Sequence, residues 1–241
     1  GVTVAGGNGQ GSGSNQFNYP NGMAVDASGN LYIADANNHR VQKWVPGATE
    51  GVTVAGGNGA GGNANQLNKP AGIALDALGN VYIGDRENHR VQKWASGATE
   101  GVTVAGGNGS GSNANQLTYP YGVALDVSGN VYVVDEYSMR IQKWVPGATE
   151  GITVAGGNGN GSNSNQFDFV AGLAVDATGN IYVTEREGDR VQKWSPGATE
   201  GITVAGGNGE GNNSNQLFYP IGVALDALGN VYVADARNYR I

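Results

Sequence analysis

PNGMAVDASGNLYIADANNHRVQKW, residues Pro20–Trp44, is the stretch on which the fold turns. It opens with an apolar run, Gly22–Asp26, and a turn follows at Ala27-Ser28-Gly29-Asn30. Glycine and asparagine supply turn conformations that other residues resist. Leu31–Ala34 (LYIA) is rich in residues that suit a pleated sheet, and Arg40–Val45 (RVQKWV) reads the same way after the polar link Asp35–His39. Pro46–Glu50 breaks the chain, and Val52–Ala55 (VTVA) gives a fourth short strand before a long Gly/Asn loop.

The same unit recurs every fifty residues. GVTVAGGNG starts at Gly1, Gly51 and Gly101, and GITVAGGNG starts at Gly151 and Gly201; RVQKW or RIQKW ends at Trp44, Trp94, Trp144 and Trp194. The units are therefore 1–50, 51–100, 101–150, 151–200 and 201–241. Four strands in a period of this size make a β-propeller blade, and no segment has the 3.6-residue apolar period of a helix. The reading is an all-β propeller of four-stranded antiparallel blades forming one domain over 1–241. Five blades are expected, with the opening strand Val2–Ala5 completing the last, and six or more if the chain is an excerpt. Such closure removes exposed sheet edges.

Composition narrows the functions. Glycine accounts for 43 of 241 residues, there is no cysteine, and 13 basic against 20 acidic residues give a net charge of −7. Disulfides, thiolate metal sites and cysteine nucleophiles are excluded. The acidic balance opposes nucleic-acid binding, and no apolar run is long enough for a membrane helix. A monomer without membrane insertion is expected.

The pattern P-x-G-φ-A-[VL]-D-x-x-G-N-φ-Y-φ-x-D-x-x-N-H-R-[VI]-Q-K-W, with φ hydrophobic, resembles the NHL repeat. It is clearest at Pro20–Trp44 and again around Asn88-His89, while Ser138-Met139, Gly188-Asp189, Asn238-Tyr239 and Val170 depart from it. The resemblance implies a propeller. It also implies a choice of functions: protein-binding platform, RNA-binding domain, or a lyase or lactonase with a divalent cation in its central channel. Bacterial members are often secreted or surface-attached, so an extracellular or cell-surface location is the expectation.

Each repeated polar residue has a structural explanation beside a functional one. Asp26, Asp76, Asp126, Asp176 and Asp226 open D-x-x-G-N turns, where a carboxylate accepts backbone N–H bonds. Asp35, Asp85, Asp135, Glu185 and Asp235 face Arg40, Arg90, Arg140, Arg190 and Arg240 across one short connection, so they read as ion pairs; a calcium-holding carboxylate ring is the alternative. The two histidines, His39 and His89, are too few for a zinc site and read as solvated loop residues. The four tryptophans read as blade packing. The loop Gly6–Gly11 lacks the Lys-Ser/Thr of a phosphate cradle.

Differences among the units fall on one set of connections. GATEG, between the third and fourth strands, is identical in all four copies. The connections at the other end vary: Tyr19, Lys69, Tyr119, Phe169 and Tyr219 share one position, and Asn21, Ala71, Tyr121, Ala171 and Ile221 another. ANNH at 36–39 becomes RENH, EYSM, REGD and ARNY. Tyrosine, phenylalanine and arginine are typical of interface centres. A top face carrying Tyr19, Lys69, Arg86, Tyr119, Tyr121, Tyr137, Phe169, Arg186, Tyr219 and Arg237 is thus the candidate surface for a protein or glycan, with no catalytic residue, metal or cofactor assigned. Glu87, Glu136, Glu187 and Asp189 balance its basic residues and argue against RNA. A cation-dependent enzyme is the alternative, and so is a designed or recently amplified repeat with no evolved ligand.

Overall fold

The computed structural model describes residues 1–241. The first unit forms β1 (Pro20–Val25), β2 (Leu31–Asp35), β3 (Arg40–Trp44) and β4 (Val52–Gly56); the second forms β5 (Pro70–Leu75), β6 (Val81–Asp85), β7 (Arg90–Trp94) and β8 (Val102–Gly106). β9 (Pro120–Leu125), β10 (Val131–Asp135), β11 (Arg140–Trp144) and β12 (Ile152–Gly156) follow, then β13 (Val170–Val175), β14 (Ile181–Glu185), β15 (Arg190–Trp194) and β16 (Ile202–Gly206). Each set makes a four-stranded sheet in chain order, and β17 (Pro220–Leu225) and β18 (Val231–Asp235) make a fifth sheet of two strands. The fold is all-β and built of antiparallel propeller blades. The chain divides into two compact units, residues 1–110 with 115–123, and residues 111–114 with 124–241.

The local causes repeat from blade to blade. Asp26 Oδ1 accepts the amides of Ser28 (2.9 Å) and Asn30 (3.0 Å), while Gly29 takes a φ of +79° that a side chain would resist. β2 is buried on both faces, as expected of a strand between neighbouring sheets. In β7, Gln92 and Trp94 face one way and Trp94 Nε1 donates to Gln92 Oε1 at 2.9 Å, so neither buried polar group is orphaned. Lys93 faces the other way, over the Tyr82 ring at 5.2 Å.

Adjacent blades in the first compact unit share one core: Tyr32, Ala34, Val41, Leu67, Ile73, Val81, Ile83 and Trp94 are among its buried residues. In the second, Tyr182, Val191, Leu217 and Val233 form the corresponding cluster. A bulge between Pro70 and Ile73 bends the inner strand β5, and its Gly72 lies against the Tyr121 carbonyl, where a Cβ would collide. Inner strands therefore approach backbone to backbone.

Residues 2–5 carry no strand, with Val2 and Val4 88% and 65% exposed. In the last repeat a single bridge, Asp235–Arg240, follows β18.

Candidate functional site

The connections at one end of the blades are occupied with holding the fold. Asp76 Oδ1 accepts the amides of Leu78 and Asn80, and Oδ2 takes the Asn80 side-chain amide (2.7 Å) and the Tyr82 hydroxyl (3.4 Å). At Asp176, burial would raise the carboxyl pKa, but bonds from Asn180 and Thr178 outweigh it and hold the group down at about 2.

The connections before the first strand and after the second strand of each blade carry the variable residues. Here the chain takes left-handed conformations at non-glycine residues: Tyr19, Lys69, Tyr119, Phe169 and Tyr219 have φ of 50–58°, as do His39, His89, Met139, Asp189 and Tyr239 at 46–55°. Each such residue costs of order 1 kcal/mol. Both sets flank the same feature, the buried carboxylate at the end of the second strand. Asp85 accepts the Asn68 amide, the Asn88 side chain (2.8 Å) and Arg90 Nε (2.7 Å). Arg90 also donates to the carbonyls of Gly62, Asn63 and Gln66, pinning the long glycine loop across its own sheet. The Asp/Arg sets are therefore structural staples.

Five of the ten candidate residues lie in the first compact unit. Tyr19 is 69% exposed and Lys69 is exposed. Arg86 stacks over the Tyr119 ring at 4.8 Å, and His89 meets that ring edge-on at 4.9 Å. Tyr121 is placed differently in the blade. It lies on the inner strand β9, and its hydroxyl donates to Asn21 Oδ1 at 2.8 Å, a residue two repeats away. The other five lie in the second unit. Arg237 stacks over Tyr219 (4.4 Å) and Phe218 (5.0 Å), and Arg186 pairs with Glu136 at 3.2 Å. Tyr137 and Phe169 are 63% and 43% exposed.

The histidines require a correction. Neither is simply a solvated loop side chain: Nδ1 of His39 accepts the Lys69 amide at 3.2 Å, and Nδ1 of His89 accepts the Tyr119 amide at 3.3 Å. Both lie thirty residues before their donors, and the sequence marks this link only as two histidines at matching positions. No three His, Asp or Glu side chains converge as metal ligands. The tryptophans are 2% exposed and pack in the blades.

A family model described as NHL repeat matches residues 17–44, 67–94, 117–144 and 219–241. No curated protein matches the sequence. Among solved structures, the nidogen/laminin complex gives a TM-score of 0.68 at 21% identity, covering 90% of this chain and 72% of that one. A catalytically inactive virginiamycin B lyase from Staphylococcus aureus, with quinupristin, gives 0.61 at 9% identity and 92% coverage; this chain spans 64% of its length. A putative gluconolactonase gives 0.64 at 14% identity, covering 95% and 76%. Identities this low carry the fold alone.

Proposed function

The chain is built of NHL repeats, and on that footing we propose that it is a non-enzymatic recognition scaffold that binds a protein through the variable ends of its blades. One observation carries the reading. The left-handed position before each inner strand holds Tyr19, Lys69, Tyr119, Phe169 or Tyr219, where glycine would relieve the strain. Glycine does fill the equivalent need in the constant turns, at Gly29, Gly79, Gly129, Gly179 and Gly229. Backbone strain kept in favour of a large side chain points to a use for that side chain.

The chemistry suits a protein partner. Arginine stacked on tyrosine presents a flat, pre-ordered, amphipathic surface that loses little side-chain freedom on contact. Mixed charge, with Glu136 pairing Arg186, gives no uniform field for a phosphate chain. One fold neighbour comes from a complex of two proteins. The lyase and lactonase neighbours support an enzymatic reading by fold only.

Binding variants test this directly. A ligand found by display against the full chain is expected to lose about tenfold or more in affinity with Tyr119→Ala or Tyr219→Ala, as interface aromatics typically do. Leu78→Ser, on the exposed turn between β5 and β6, is expected to change nothing. Loss with Leu78→Ser alone would place binding at the other end and refute the proposal.

A further inference from the structure

The residue at position 39 of the repeat reaches into the next blade. The His39–Lys69 and His89–Tyr119 links have a third counterpart: Asp189 Oδ1 accepts the Tyr219 amide at 2.8 Å. In each case a side chain on the connection after the second strand holds the amide of the residue before the next inner strand. The residues at both ends of each link are left-handed, with φ between 46° and 56°. The donors are Lys69, Tyr119 and Tyr219, three residues of the proposed contact surface. At the same position, Met139 has only a thioether, a weak acceptor.

We infer that His39, His89 and Asp189 are positioning residues that clamp the next blade's contact residue, and that the two histidine clamps open on acidification while the aspartate clamp stays shut. The chemistry is that of a single lone pair. Neutral imidazole can accept at Nδ1 while Nε2 carries the hydrogen. Protonation puts a hydrogen on Nδ1, and two donors then face each other across about 3 Å. Burial raises the Asp189 pKa, but a carboxyl that takes a proton on one oxygen still accepts at the other.

The surroundings are compatible with release. The charged groups near His39 are Lys69 and Asp85 of the next blade, together with the Asp35–Arg40 pair of its own. Burial, then the Lys69 ammonium, lowers the His39 pKa, and Asp85 opposes them. A lowered histidine pKa means that the clamp's contribution is complete above about pH 6.5 and is lost as pH falls through the lowered value. Around His89 stand the Tyr119 ring, the Arg86 guanidinium stacked on it, Glu87 beside Arg86, and the Asp85–Arg90 pair. Around Asp189 stand Glu187, Glu210 and Arg237.

The inference rests on the proposed contact surface only for what the clamps position. Its test needs no partner, so either reading can fail while the other stands. Amide signals of the full chain would be followed by NMR from pH 7.5 to 4.5, with exchange rates taken relative to the unstructured rate at each pH. Lys69 and Tyr119 are expected to shift in step with the imidazole protons of His39 and His89 and to lose about threefold to tenfold of their protection, the worth of one hydrogen bond. Tyr219 is expected to hold. Two variants borrow from sister repeats. His89→Asp should keep Tyr119 protected at pH 5, and His89→Met should leave it unprotected at every pH, with Lys69 unchanged in both as the control for folding. Tyr119 protection that ignores His89 protonation or survives His89→Met would overturn the inference, as would Tyr219 opening together with the other two.

Discussion

At the scale of single residues, most polar groups in the repeat already have a structural task. Arg90 ties one buried carboxylate to three loop carbonyls, and Asp85 is fully buried beneath it. Arg90→Met keeps the apolar stem and removes the charge. It is expected to destabilise by about 3–5 kcal/mol, because Asp85 is left buried without its counter-charge; urea unfolding would measure this. The Asp85/Arg90 pair was legible in the sequence, since both residues flank one short connection. The loop carbonyls were not, because nothing local says that a segment twenty-four to twenty-eight residues earlier folds back over the sheet. The left-handed Lys69 and Tyr119 were hidden for a sharper reason. Both precede proline, which ordinarily favours extended backbone. Only the amide link to a histidine thirty residues earlier shows what helps to hold them.

At the scale of strands and turns, glycine has two distinct jobs that the sequence does not separate. Gly72, in β5, is needed for space, because the next inner strand lies where its Cβ would go. Gly79, in the turn, is needed for its φ of +76°, with open space around it. Gly72→Ala is therefore expected to lower the melting temperature more than Gly79→Ala does. The first forces backbones apart, at about 1–3 kcal/mol or more, and the second strains one dihedral, at about 1 kcal/mol. Calorimetry on the two variants would measure the difference, and equal losses would count against close inner-strand packing. Strand positions followed from the fifty-residue period and the turn residues. The inner-strand bulge did not, because it depends on the packing of the neighbouring blade.

At the scale of the whole molecule, equivalent repeats fold as equivalent blades while their burial depends on neighbours. Ile73 is 8% exposed where Met23 is 64%, and Tyr132 is 3% exposed where Tyr232 is 49%, although each pair shares one position in the repeat. Stability in such arrays is a sum of unit and interface terms, so repeats with a bare face should open first. Repetition made the blades plain to read. Hydrogen exchange of the free chain, read peptide by peptide, tests the claim most directly. The strands β6, β7, β14 and β15 should exchange slowly and alike, and β18, where Tyr232 is exposed, should exchange faster. Protection of β18 equal to that of β6 and β14 would contradict this.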